Sequence, residues 1–326
     1  MRWKRRRLVL RALRKMGELV PVTPYARPRR GAVLAFASLR NEALRLPYWL
    51  AHHRRLGVDR FLIVDNDSDD GTLDLLRDQP DVALWRTGES YRAARFGMDW
   101  LTGLQHRMGV GHWCLTLDAD ELLIYPHWQE RPLRALADEL QNRKVDALGA
   151  LMVELFPKGS LSSTACAPGQ DPVEVLPYFD ASGYRVRRQR PAQNLWVQGG
   201  PRDRVFFADR PRRAPTLNKL PLVFWRRGFA WLNATHAALP PRLNRAWDGP
   251  GDTRLSGALL HTKFLPEIVG KSVDPAHRAE HFGDPSVFAA YHDALAADPV
   301  LFHAGATRYE GWQQLEALGL MSRGGW

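Results

Sequence analysis

Five short apolar runs, each trailed by polar side chains and then by a helical stretch, constrain this sequence more than any other feature. The runs occupy residues 32–37, 61–64, 82–85, 113–117 and 147–155, lengths suited to strands buried on both faces. Between them, residues 42–56 (ending at Gly57), 72–77, 91–108 (ending at Gly109) and 133–142 space their apolar side chains as helices do. The alternation predicts an α/β fold, a mostly parallel sheet with helices on both faces. In such sheets ligands gather at the carboxyl ends of the strands. The polar clusters that follow the runs are therefore the first candidates for function: Arg40-Asn41-Glu42, residues 65–71, and Asp118-Ala119-Asp120-Glu121.

The last of these carries the strongest chemical signal. Asp118 and Asp120 stand one residue apart at the end of a buried strand, with Glu121 immediately after. Three gathered carboxylates repel one another unless a cation compensates them. Ligands that are all oxygen select a hard divalent ion, Mg²⁺ or Mn²⁺, which keeps positions open for phosphate oxygens. The acid-rich segment Asp65-Asn66-Asp67-Ser68-Asp69-Asp70-Gly71-Thr72 fails as a calcium loop in both registers. Counting from Asp65 puts Asp70 where glycine is required, and counting from Asn66 puts Arg77 where a bidentate Glu is required. It fits a strand end, a polar turn and a helix start, suited to hydrogen-bonding a nucleoside.

Other motifs exclude whole classes of activity. No GxxxxGK[ST] loop, no GxGxxG after a strand and no GxSxG elbow occurs, which argues against P-loop NTPases, nicotinamide dehydrogenases and serine hydrolases. His277-Arg278-Ala279-Glu280-His281 matches an inverted zinc-protease pattern, but the last 45 residues offer few carboxylates to complete the ligand set.

The net charge of +11 suggests a nucleic-acid binder until the charge is located. Residues 1–30 hold eleven Lys/Arg and one acid, Glu18, leaving a nearly neutral body. That pattern is a basic arm and linker, not a basic folded face, and no nucleic-acid partner is expected. Within the arm, Val9, Leu13, Met16 and Val20 form one helical stripe opposite Lys4, Arg7, Arg11 and Arg14. Two readings of residues 1–20 stand: contact with an anionic membrane surface, or a solvated extension whose apolar residues touch the body. The apolar stretch 8–13 is short and broken by Arg11, unlike a secretory signal. No run reaches the 18 or more apolar residues of a membrane span. Two cysteines, Cys114 and Cys166, fit a reducing compartment, so the expected location is cytoplasmic, with the inner membrane face as a peripheral site.

Beyond residue 159 the pattern becomes irregular and rich in Pro, Gly and Arg. Residues 180–227 carry twelve Arg/Lys against three Asp, a balance suited to a phosphorylated ligand. Helical spacing returns at 287–297 and 312–318. The expected organisation is an arm and linker (1–30), a nucleotide-binding core (31–158) and a substrate-shaping acceptor-side subdomain (159–326).

Four motifs in order, Arg40-Asn41-Glu42, His52-His53-Arg54-Arg55-Leu56-Gly57-Val58, Asp65-Asn66-Asp67-Ser68-Asp69-Asp70-Gly71-Thr72 and Asp118-Ala119-Asp120-Glu121, resemble a bacterial branch of the family 2-like glycosyltransferases of the GT-A fold. They cover roughly residues 31–125, and Gly199-Gly200-Pro201-Arg202-Asp203-Arg204, His261-Thr262-Lys263-Phe264 and residues 309–321 extend the likeness more loosely. The resemblance implies a nucleotide-diphospho-sugar donor and a saccharide or lipid-linked acceptor in surface-glycan synthesis. It places Arg40, Asn41, Glu42, Asp65 and Asn66 on the nucleoside, Arg95 near the donor, and Asp118 on the ribose or the metal. Asp120, with His261 as a further candidate ligand, would hold Mn²⁺ or Mg²⁺ against the two phosphates.

Cleaving the sugar's anomeric bond builds negative charge on the departing nucleoside diphosphate, which a cation aided by Lys263 or His261 would stabilise. The family usually inverts the anomeric centre and then needs a general base. The customary Glu-Asp pair is absent after Asp118-Ala119-Asp120-Glu121, leaving Glu154 and Asp203 as candidates, each with a structural role as its alternative. Two rival functions remain: a nucleotidyltransferase, disfavoured because residues 38–41 lack the glycine of its phosphate loop, and a non-catalytic nucleotide-sugar binder.

Overall fold

All five apolar runs fold as strands of one sheet. The computed structural model describes residues 1–275 and 285–326. In chain order the strands are β1 (Val20–Pro21), β2 (Val33–Leu39), β3 (Arg60–Asp65), β4 (Val82–Arg86), β5 (Trp113–Thr116), β6 (Glu121–Ile124), β7 (Ala147–Glu154), β8 (Tyr178–Phe179), β9 (Arg185–Arg188), β10 (Leu195–Gln198), β11 (Asn218–Phe224), β12 (Ala230–Asn233), β13 (Ala237–Leu239), β14 (Gly257–His261) and β15 (Thr307–Arg308). The central sheet has nine strands in the order β1-β4-β3-β2-β5-β11-β7-β14-β6, and three two-stranded ribbons pair β9 with β10, β12 with β13 and β8 with β15.

β2, β3, β4 and β5 form a parallel block, β7 and β14 a parallel pair, and β1, β11 and β6 run the other way. Six of the nine strands thus share one direction, an α/β fold with a mixed, mostly parallel sheet. β11 and β14 come from the segment expected to be a separate acceptor-side subdomain, yet β11 sits between β5 and β7, and β14 between β7 and β6. The boundary near residue 159 therefore does not divide two sheets. For β11 the reason is local: a strand flanked by antiparallel neighbours needs no βα repeat to announce it.

Helices α1 (Arg2–Lys15), α2 (Leu46–Leu56), α3 (Thr72–Arg77), α4 (Met98–Leu104) and α5 (Leu133–Asn142) lie in the first half, and α6 (Pro172–Val175), α7 (Glu267–Val273) and two helices over Pro285–Ala296 and Trp312–Ala317 in the second. β2 shows why the runs are wholly apolar. Val33, Ala35 and Ala37 face a core containing Trp49, Leu56 and Leu136, while Leu34 and Phe36 face Trp100 and Leu104 on the opposite side. A third cluster joins Phe156, Phe264, Ile268 and Leu295.

Two helices begin later than their spacing predicts. Residues 42–45 stay outside α2, because the Glu42 and Ala43 amides donate to Thr72 Oγ1 and Asp70 Oδ2. Residues 91–97 form turns instead of the first half of α4, since Arg95, Phe96 and Gly97 all take the left-handed conformation. A Cβ on Gly97 would also stand 2.8 Å from Ser38 Cβ.

Residues 1–20 fold against the body. α1 packs on α4, with Ala12 wholly buried and Arg11 Nε 2.6 Å from Asp99 Oδ2. The docked face runs through Ala12, Met16 and Leu19 rather than the expected Val9, Leu13, Met16 and Val20; Leu13 and Val20 are exposed. β1 then covers the outer edge of β4, with a proline that an edge strand tolerates. Among the described residues no helix is long and apolar enough to cross a membrane. The inverted zinc-protease pattern at 277–281 lies outside the described residues.

Candidate active site

The carboxyl ends of β2, β3, β5, β7 and β14 meet along one edge of the sheet and deliver Arg40, Asp65, Asp118, Glu154 and His261. β6 and β11 run oppositely, so their amino-terminal ends bring Glu121 and Lys219 to that same edge. One geometric rule collects the acids and one buried cation that no sequence motif places with them.

Lys219 is buried, and its Nζ lies 2.9 Å from Asp118 Oδ2 and 2.9 Å from Glu121 Oε1. Glu121 also accepts the Asp118 amide at 3.1 Å and so points inward. Burial pushes its carboxyl up, and Lys219 pulls it back. Asp118 by contrast keeps 47% of its side chain exposed. The motif thus divides its labour, with Glu121 inside holding the turn and Asp118 outside.

Asp120 is one-fifth exposed, and its Oδ2 lies 3.1 Å from His261 Nε2, while His261 Nδ1 lies 3.3 Å from Glu154 Oε1. Arg202 pairs with that same Glu154 oxygen. Burial opposes charge on Asp120, but His261, Lys263 and Arg45 hold it well below the usual carboxylate range. Burial likewise works against His261, yet Asp120 and Glu154 outweigh it and raise its pKa. Lys263 has no ion-pair partner among the described residues. Burial lowers its ammonium pKa, and Arg202 and Arg45 add to that against the pull of Asp120. An unpaired ammonium beside two arginines is a place for added negative charge.

The nucleoside candidates occupy two loops stitched to each other. Asn41 donates from its amide to Ser68 Oγ at 3.0 Å and from Nδ2 to Asp69 Oδ1 at 2.8 Å, and the Asp69 amide returns a bond to Asn41 Oδ1. Asp65 accepts the Ser68 amide on Oδ2, while its buried Oδ1 has no partner among the described residues. Asn66 ties its loop to the Thr87 and Glu89 carbonyls. Glu42 is held by Arg45 at 2.8 Å and Lys271 at 2.9 Å. Arg40 is exposed. Arg95 is engaged elsewhere, donating to the Trp231 carbonyl and pairing with Asp99 at 3.1 Å; a donor contact would require it to leave both.

Neither candidate base is presented as one. Glu154 has no exposed side-chain surface and is shared by His261 and Arg202. Asp203 is gripped through both oxygens by Arg185 at 2.7 and 2.8 Å. Sequence reasoning missed Lys219, Arg202 and Arg45; the one signal for Lys219 was a lone cation opening an otherwise apolar run.

The paired histidines have a mechanical role. His52 Nε2 lies 2.9 Å from the Leu123 carbonyl, His53 Nε2 accepts the Leu123 amide at 3.4 Å, and Trp49 Nε1 donates to the Glu121 carbonyl at 3.1 Å. α2 thereby grips the strand that follows Asp120.

The residues fit a hard divalent cation. Asp118 and Asp120 both retain exposed carboxylate surface at the ligand edge. Among the described residues no three His, Cys, Asp or Glu side chains form a cage of their own, so any ion held by Asp118 and Asp120 would take its remaining ligands from substrate phosphates and water.

No protein-family model matches the chain. Over 117 residues it is 31% identical to a glycosyltransferase family 92 protein of Oryza sativa subsp. japonica, a match covering 33% of this chain and 18% of that protein. The chain therefore spans less than a fifth of the length of this curated relative. Among solved structures it is similar to the mannosyltransferase PcManGT from Pyrobaculum calidifontis in complex with GDP-Man and Mn²⁺ (TM-score 0.30, 19% identity, 46% of this chain and 42% of that one). A 4-diphosphocytidyl-2C-methyl-D-erythritol synthase is similar over 44% of this chain and 70% of its own (TM-score 0.26, 17% identity).

Proposed function

We propose that the chain is a GT-A-like glycosyltransferase that moves a sugar from a nucleotide-diphospho-sugar donor to a hydroxyl acceptor. One observation carries the reading: two partly exposed carboxylates, Asp118 and Asp120, lie at the carboxyl edge of the parallel strands beside the unpaired Lys263. The likeness to a family 92 glycosyltransferase supports it.

Asp65 Oδ1 offers a buried acceptor to the hydroxyls of a nucleoside. Asp118 and Asp120 would hold Mn²⁺ or Mg²⁺, whose charge on the diphosphate makes it a better leaving group. Lys263 supplies a second positive charge where the leaving group's charge develops. His261 orients Asp120 and is itself oriented by Glu154, whose place in the buried network suits positioning rather than proton transfer. Arg202 compensates Glu154.

The test is release of nucleoside diphosphate from a panel of nucleotide sugars with Mn²⁺ and a cell-envelope saccharide extract as acceptor. Acceptor-stimulated release that disappears in Asp120→Asn supports transfer. Binding without release would leave a non-catalytic binder, and formation of a nucleotide sugar with pyrophosphate would make the chain a nucleotidyltransferase.

A further inference from the structure

The face of α1 turned away from the protein is organised as deliberately as the face that docks. At roughly 100° per residue, Trp3 lies diametrically opposite the buried Ala12, and Leu10 falls beside it. Trp3 is 78% exposed, and Leu10, Leu13 and Val20 are exposed with it. Arg6, Arg7 and Arg14, also exposed, interleave with them. Half of the exposed large apolar side chains among the described residues belong to residues 1–20, so this is a patch and not the usual scatter.

The ridge is fixed in place. Arg11 is bonded to Asp99, Trp100 Nε1 donates to Glu18 Oε2 at 2.8 Å, and a Cβ on Gly103 would stand 2.5 Å from Met16. Glu18, the one acid among eleven cations in residues 1–30, is thereby occupied, as it is again by Lys15. Beside the ridge, Met1, Arg2, Arg5 and Arg242 border a groove of about 350 Å³ floored by Leu239 and Pro240.

We infer that this ridge seats the protein on an anionic lipid bilayer, with Trp3, Leu10 and Leu13 entering the headgroup boundary and the arginines meeting lipid phosphates. An acidic protein would satisfy the cations but would also need an apolar groove shaped to a tryptophan and two leucines, whereas a bilayer interface receives them without one. Amphipathic aromatic and leucine side chains among cations match the chemistry of the bilayer interface.

The test is co-sedimentation of the full chain with mixed phosphatidylcholine–phosphatidylglycerol vesicles and with pure phosphatidylcholine vesicles. Binding is expected to the anionic vesicles alone and to weaken with salt. Each cation near the surface strengthens partitioning by about fivefold, so R6E/R7E/R14E should weaken it by about a hundredfold or more. W3S/L10S/L13S should weaken it by roughly tenfold or more at unchanged charge. Both sets are exposed, so thermal melts should match the parent. Unchanged pelleting of W3S/L10S/L13S would reduce the contact to charge alone and overturn the inference. So would equal binding to an acidic polypeptide, or a Trp3-dependent dimer in sedimentation velocity without vesicle binding.

Discussion

Lys219 and Asp118, 101 residues apart in sequence, meet at 2.9 Å because an antiparallel strand starts where a parallel strand ends. The same ammonium also neutralises Glu121, which is wholly buried. Burial already pushes the Glu121 carboxyl up to about 7, so replacing Lys219 with Met should make it take a proton and leave it short of a partner, at a cost of about 1–3 kcal/mol of stability. Adding Glu121→Gln should recover much of that loss. Urea unfolding of the two single variants and the double variant measures the coupling, and additive losses would contradict it.

The histidine pair predicts how stability follows pH. Burial lowers the His52 pKa to about 4 from the ordinary 6.5, and lowers His53 further below its usual value. The unfolded chain then binds more protons than the folded one between these values. The pair's contribution to stability is therefore full above about pH 6.5 and is lost as pH drops toward 4, with His52 alone accounting for about 3 kcal/mol, while Glu121, pushed up to about 7 by burial, titrates over much of that range with the opposite sign. His52→Gln, whose amide can still donate to the Leu123 carbonyl, should flatten the slope in denaturant unfolding measured across that range. An unchanged slope would mean that His52 is not held neutral.

Asp203 separates a structural acid from a catalytic one. Both of its oxygens lie on Arg185, which fixes the carboxylate in an ion pair. Asp203→Asn should keep the turnover number within about tenfold of the parent. A thousandfold loss with unchanged thermal stability would restore it as the base.

Much of the site was legible in the sequence, and the illegible parts share a cause. Strand ends after β2, β3 and β5 announced themselves, since an apolar run followed by Asn41, Asp65 or Asp118 is visible in one dimension. The acid-rich residues 65–72 form the expected polar turn between a strand and a helix, with Asp69 and Asp70 bonded to the Asn41 side chain and the Ala43 amide of the neighbouring loop. Lys219, Arg202 and the insertion of β11 and β14 were not legible. Lys219 and β11 arrive through antiparallel pairing between distant segments, β14 through a long crossover to its parallel neighbour β7, and Arg202 on a short helical turn, and none of these leaves a periodic trace. The arm's helix was visible but its docked face was not, since Ala12 buries against α4 by position rather than by hydrophobicity.

Gly103 tests how firmly that arm is held. Its Cβ position lies 2.5 Å from Met16 Sδ and 3.0 Å from the Ala12 carbonyl oxygen. Gly103→Val should push α1 off α4, cost about 1–3 kcal/mol, and speed tryptic cleavage within residues 2–15 under native conditions. Cleavage at the parental rate would mean that the helix is not anchored through this contact.

In the proposed reaction Asp118 and Asp120 hold a nucleoside diphosphate through a divalent cation. Thermal or chemical unfolding with a nucleoside diphosphate panel, with and without Mn²⁺, measures this most directly. One nucleotide should add about 2.7 kcal/mol at a hundred times its Kd, only when Mn²⁺ is present, and the gain should vanish in both Asp118→Asn and Asp120→Asn. Equal stabilisation of the parent and both variants, or of the parent with and without Mn²⁺, would contradict it.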